Sequence, residues 1–178
     1  AKPLNMYAER WHSFLAQAVK GQSASDVAVS GGGIAGCELA MALAFALRSV
    51  GVSPRVTVIE SGPQITGVGG KARQRMLMAM SDLGIVVKTS AKVVEVVSDQ
   101  VLLDGQEPVA AVFCVGAAGG RAHKWISQTS LPQRDGFIEI GTDLGVIGDQ
   151  ALFAVGDCAV MGKGLLPKAG VFLSLIHI

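Results

Sequence analysis

Charge is scarce in this sequence. Of its 178 residues 16% are charged, and 15 Lys and Arg stand against 14 Asp and Glu for a formal net charge of +1. The basic residues are scattered, so no patch or stripe is available to hold a nucleic acid. Long apolar runs are lacking too. The longest, Leu39 to Leu47, falls far short of the roughly 20 residues that a helix needs to cross a bilayer, and it reads as part of a buried helix. Cysteine is rare: Cys37, Cys114 and Cys158 lie far apart and form no Cys-x-x-Cys pair. That speaks against a metal cluster and for a reducing compartment. Each thiol reads as a small buried apolar residue. His12 and His123 have no triad or metal partner in the pattern and read as surface or linker residues, so no metal-ligating set is expected.

What is abundant is apolar surface and glycine, with 50% hydrophobic residues and 23 Gly. That balance suits strands and helices covered on both sides, as in a parallel α/β sheet. The most informative stretch is Asp26-Val27-Ala28-Val29-Ser30 followed by Gly31-Gly32-Gly33-Ile34-Ala35-Gly36. A short apolar strand runs straight into Gly-x-Gly-x-x-Gly, and a long apolar helix follows. A second strand, Arg55 to Glu60, ends in a carboxylate. A dinucleotide needs that whole unit: one glycine for the tight turn, one for close approach to the pyrophosphate, one for close helix packing, and an acid for the ribose. The helix start supplies N–H groups for the phosphates.

Along the chain, Pro3 to Lys20 fits an amphipathic helix with Leu4, Trp11, Leu15 and Val19 on its apolar face. Residues 21–25 form a polar linker, 27–30 a strand and 35–48 a helix whose first turn carries Glu38, suited to the positive end of the dipole. A strand follows at 55–60, a Gly/Pro-rich loop at 61–70, a helix at 71–83 ended by Gly84, and a strand at 85–88. Residues 92–97 and 101–103 have hairpin spacing. Val109 to Val115 is an apolar run typical of one central strand. Beyond the small-residue loop 116–120, residues 121–131 are expected to be partly helical. Strands are expected at 136–140, after a turn at Arg134-Asp135, and at Leu152–Val155. The fold class is α/β: a Rossmann-like doubly wound parallel sheet with a β-meander insert.

Both ends read as unnatural. The sequence opens at Ala1 without Met, and residues 173–178, Leu-Ser-Leu-Ile-His-Ile, look like the translated end of a sequencing-library transposon adapter; a genuine terminal strand is the other reading. The chain is expected to be a fragment with a non-native tail over 173–178.

The order GGGIAGCELA, VTVIE, a meander, VFCVGAAGG, GFIEIGTDL, LFAVGDCAV and LPKAGVF resembles the two-dinucleotide-binding-domain flavoprotein oxidoreductases. Within the pyridine nucleotide-disulfide oxidoreductase superfamily it is most similar to the branch of type II NADH dehydrogenases and selenide-water-dikinase-associated oxidoreductases. The resemblance implies an exit helix and linker from a truncated FAD domain over 1–24, an NAD(P)H-binding domain over 25–117, and a partial, Rossmann-like return of the FAD domain over 118–172. It gives Gly31, Gly32, Gly33, Ile34, Ala35 and Gly36 to the NAD(P)H pyrophosphate. Glu38 is placed near the nicotinamide, or is simply a helix-start carboxylate. Glu60 would take the adenosine ribose hydroxyls and repel a 2′-phosphate, and no arginine follows in the loop to Gly70, so NADH is favoured over NADPH. Gly116 marks the crossing between domains, or is a plain turn glycine. Gly156 and Asp157 would meet FAD, with Asp157 also readable as a helix N-cap. Lys168 and Ala169 would face the isoalloxazine ring.

By the same resemblance, hydride passes from NADH to FAD and on to an acceptor, most plausibly a quinone, and no side chain here need act as acid or base. A ferredoxin- or rubredoxin-reductase-like enzyme and a non-catalytic NAD(H)-binding module are the alternatives. Dimer and peripheral membrane contacts would belong to a C-terminal region beyond these residues, and the setting would be the cytoplasm or the cytoplasmic face of a membrane. A close cysteine pair of the disulfide-reductase kind is not present.

Overall fold

The computed structural model describes residues 4–65, 69–117, 119, 122–149 and 151–162. They fall into two compact units that divide between Gly119 and Gly120.

The first unit is built on a parallel sheet. Strands β1 (Asp26–Ser30), β2 (Arg55–Ile59), β3 (Val86–Lys88) and β7 (Phe113–Gly116) lie in the order β3-β2-β1-β7. Period-two alternation sorts their side chains between two faces. Val27, Val29, Val56, Val58, Phe113 and Val115 point into one core, where helices α1 (Leu4–Val19), α2 (Ile34–Ser49) and α3 (Gly70–Asp82) cover them. Ala28, Ile59 and Cys114 point the other way, into a smaller core with Ala91, Val101, Leu103 and Ala111. That second face is covered by an antiparallel meander of β4 (Val93–Val96), β5 (Gln100–Leu103) and β6 (Gln106–Ala110).

Each helix is placed by its apolar stripe. On α2, Gly36, Cys37, Ala40, Leu43, Ala44 and Leu47 are buried, at the spacing of one helical face. On α1 the expected Trp11 and Leu15 do pack against this core, while the face also takes Phe14 and Ala18 and leaves out Val19. Phe14 and Ala18 are buried while Val19 is 52% exposed. The cause is Phe113 on β7, whose ring stacks on Phe14 at 5.0 Å and meets Trp11 edge-on at 5.4 Å. An aromatic cluster of that kind outweighs one aliphatic contact. Helix α3 ends at Gly84, with φ of 58°, where Arg48 of α2 also donates to the Leu83 carbonyl at 2.8 Å.

The run 109–115 is not one strand. Its first part closes the meander as β6, and its second enters the parallel sheet as β7. Between them the Ala111 N–H donates to the Asp99 carbonyl and the Val112 N–H to the Asp26 carbonyl, so consecutive amides serve different sheets.

In the second unit, β8 (Gln133–Arg134) and β9 (Phe137–Ile140) form a hairpin whose turn is Asp135-Gly136, both at positive φ. The turn thus lies one residue beyond its expected place. The predicted helical content over 121–131 amounts to one 3₁₀ turn, Ile126–Gln128. The expected strand at 152–155 is not formed. Phe153 makes a single bridge to Gly145 and is 67% exposed. Instead β10 (Ala159–Met161) runs parallel beside β9 and takes that edge. Ile126, Ile138, Ile140, Val146, Ala154 and Ala159 make this unit's core. Among the described residues no helix is long and apolar enough to cross a membrane.

Candidate functional site

The site grows from the end of β1. Gly31 has φ of 113°, a conformation open to glycine and costly for other residues, and its N–H donates to the Ile59 carbonyl at 2.8 Å. This joins the turn to the end of β2. Gly36, in the first turn of α2, lies so close behind that a Cβ on it would stand 1.9 Å from the Gly31 carbonyl oxygen. Only a hydrogen fits. Gly33, at the N-cap, is extended (φ −73°, ψ 174°), and no side chain caps the helix. An uncapped N-terminus beside a glycine turn presents N–H groups and a partial positive charge to an anion.

Glu60 follows β2 and completes the floor. Its carboxylate accepts the Gly32 N–H at 2.7 Å, the Gly62 N–H at 2.7 Å and the Ser61 hydroxyl at 3.2 Å. The residue is 8% exposed. Burial by itself pushes this carboxyl up, but the Gly62, Gly32 and Ser61 donors outweigh it and hold it below its ordinary value. Glu60 is therefore a fixed anion at neutral pH. A Cβ on Gly32 would come 2.8 Å from the Glu60 Cβ, which gives the middle glycine of Gly31-Gly32-Gly33 its own reason: it makes room for the acid.

These groups line a cleft of about 580 Å³. Gly31, Gly33, Ile34, Ala35 and Glu60 line it, while Gly32 and Gly36 shape its wall from behind. Gly116 ends β7 opposite Ser30, and the lining there comes from Ala117 and Gly119. Glu38 is exposed and falls in the second turn of α2, not the first, because the helix begins at Ile34; it is not part of the cleft lining.

Ser61, Ala91, Lys92 and Val93 also line the cleft, and sequence reasoning missed them. Ala91 and Lys92 lead into β4, which begins at Val93, and the Ala91 N–H ties this segment to the Glu60 carbonyl at 2.9 Å, a long-range contact with no local signal. Cys37 is not a nucleophile here: burial, then the charges of Glu60 and Glu38, push its thiol up.

In the second unit, Gly156 (φ 72°) and Asp157 sit in a 3₁₀ turn, Gly156–Cys158. Asp157 lies inside that turn and Val155 occupies its N-cap, so the alternative reading of Asp157 as an N-cap does not apply to this turn. Lys168 and Ala169 lie outside the described residues.

A family model described as pyridine nucleotide-disulphide oxidoreductase matches residues 8–171. The chain belongs to this family. An NADH dehydrogenase-like protein of Mycobacterium tuberculosis is 35% identical over 144 residues, covering 77% of this chain and 36% of the relative. A rubredoxin-NAD(+) reductase of Ectopseudomonas oleovorans is 31% identical over 164 residues, covering 88% and 40%. A solved FAD-dependent pyridine nucleotide-disulphide oxidoreductase from Desulfovibrio vulgaris superposes with a TM-score of 0.65 at 26% identity, covering 86% of this chain and 41% of that one. The chain thus spans about two fifths of the length of the curated relatives it matches.

Proposed function

We propose that this chain is the NADH-binding part of an FAD-dependent oxidoreductase that moves hydride from NADH to the flavin and on to an acceptor. The observation that carries the reading is the buried Glu60 carboxylate fixed beside the glycine turn. The pyrophosphate would lie over Gly33, Ile34 and Ala35 at the uncapped start of α2. The Oε2 of Glu60 takes the Gly32 N–H, and a carboxylate oxygen accepts about two hydrogen bonds, which leaves a lone pair for a ribose hydroxyl. Its standing negative charge favours NADH over NADPH.

The chemistry supplied when FAD is bound is acceptance of hydride at the flavin; the chain's own residues bind and orient the donor. Family membership and the FAD dependence of the Desulfovibrio protein support FAD, and Gly156 and Asp157 are the described residues we assign toward it. For the acceptor we propose a quinone. The name of the rubredoxin-NAD(+) reductase supports a small redox protein as the second reading. A reducing, cytoplasm-facing setting accords with the three unpaired thiols.

The test is anaerobic addition of NADH to the flavin-loaded protein. The flavin band should bleach, and it should return on adding a soluble quinone. A return with rubredoxin alone would move the assignment to the second reading. A flavin that NADH leaves oxidised would overturn the function.

A further inference from the structure

The cleft has a cation that its dinucleotide motif does not explain. Among the described residues lining it, Glu60 is the one acid and Lys92 the one base. They come from different parts of the sequence, yet the backbone fixes them to one rim. The Ala91 N–H donates to the Glu60 carbonyl at 2.9 Å, and the Ser90 N–H to the Gly62 carbonyl at 2.7 Å. Ser90 holds φ of 50°, rare outside glycine, and its own carbonyl accepts from the Gln106 side chain at 2.7 Å. The segment leading to Lys92 is thereby pinned to the loop after Glu60 at both neighbouring positions. Lys88 is engaged elsewhere, its ammonium donating to the Glu107 carbonyl. Lys92 is exposed, so its ammonium is free of any burial cost.

Glu60, meanwhile, is directed at the protein: its charge is spread over the donors from Gly32, Gly62 and Ser61. A phosphate on the adenosine ribose would meet a carboxylate whose field is partly satisfied and an ammonium whose field is not. Ile34 and Ala35, at the helix start, are the lining residues placed for the pyrophosphate, and Lys92 lies on the Glu60 and Ser61 side of the cleft.

We infer that Lys92 is a specificity-determining residue that offsets Glu60, so that the site accepts a dinucleotide bearing a 2′-phosphate and prefers NADH by a modest factor. This rests on the dinucleotide reading of the cleft. In such a site the preference is a balance of two opposed charges on one rim, and changing either moves the ratio in a known direction.

The experiment is calorimetric titration of the whole chain with NADH and NADPH, for the native protein and for Lys92→Glu, with circular dichroism to check that both are folded. The native chain should bind NADPH within about tenfold of NADH, and Lys92→Glu should widen that ratio by about five- to tenfold, the size expected for a partly screened charge pair. The NADPH affinity should also fall more steeply with salt than that of NADH, and Lys92→Glu, which replaces attraction by repulsion, should reverse that difference. A ratio unchanged in Lys92→Glu would make Lys92 a solvated surface residue and overturn the inference. Equal losses for both nucleotides would assign it to the pyrophosphate, which also overturns it. Absence of NADH binding by the folded native chain would instead fail the underlying reading of the site.

Discussion

Gly36→Ala should lower the melting midpoint of this protein by roughly 10 °C, a loss of about 3 kcal/mol or more for a domain of this size. The added methyl would stand 1.9 Å from the Gly31 carbonyl oxygen, and neither backbone can yield cheaply. Gly31 is held by its N–H to Ile59, and α2 is held by a buried face from Gly36 to Leu47. Relief would require moving the helix off the sheet, which opens the core around Val27 and Val29. Gly116→Ala is the internal control. A Cβ there meets nothing within 4 Å, and its midpoint should stay within the range of ordinary surface substitutions, about 0.5 kcal/mol. Thermal unfolding followed by circular dichroism decides the matter. Equal midpoints for Gly36→Ala and Gly116→Ala would mean that the helix does not sit on the turn as described.

Glu60→Ala should cost about 2–3 kcal/mol at pH 7, because it strips buried donors from Gly32 and Gly62 of a charged acceptor. The loss should depend on pH with a definite sign. The Glu60 carboxyl titrates lower in the folded protein than its ordinary value of 4.5. Its contribution is therefore complete above the unfolded value and disappears as pH falls through the lower folded one. Denaturant unfolding of native and Glu60→Ala proteins should give stabilities well separated at neutral pH that converge in acid. Glu60→Gln, which keeps the volume and loses the charge, should follow the alanine variant in its flatter pH profile. Stability curves that run parallel from neutral pH into acid would show that the carboxylate is not the acceptor that the Gly32 and Gly62 amides require.

The strand, glycine turn, helix and terminal acid were legible because each obeys a local rule. Glycine spacing encodes the turn, apolar periodicity encodes β1 and α2, and the position of Glu60 at the end of β2 puts a carboxylate beside that turn. What escaped were features set by pairing across distance. The split of 109–115 depends on Asp26 and Asp99 carbonyls that the run itself does not display. The absence of a strand at 152–155 follows from the capture of the β9 edge by Ala159–Met161. On α1, Trp11 and Leu15 follow the apolar pattern, while the choice of Phe14 over Val19 is set by Phe113, some hundred residues on in the sequence. Within the site, Lys92 and Ser61 had no motif to announce them. Ser61 lines the cleft as the neighbour of Glu60, and Lys92 joins it because Ser90 and Ala91 bond to the loop that carries Glu60.

The most direct test of the dinucleotide cleft is a calorimetric titration of the whole chain with NADH, repeated on Gly33→Ala. Gly33 is extended at φ −73°, a conformation that alanine adopts without backbone strain, so the substitution should cost no more than the about 1 kcal/mol of an N-cap change while placing a methyl where the pyrophosphate must approach. The expected result is saturable binding by the native chain and at least a tenfold loss, about 1.4 kcal/mol, in the variant. Folded native protein that shows no saturable NADH binding, or a Gly33→Ala chain that binds as tightly as the native one, would contradict the assignment of this cleft to a dinucleotide.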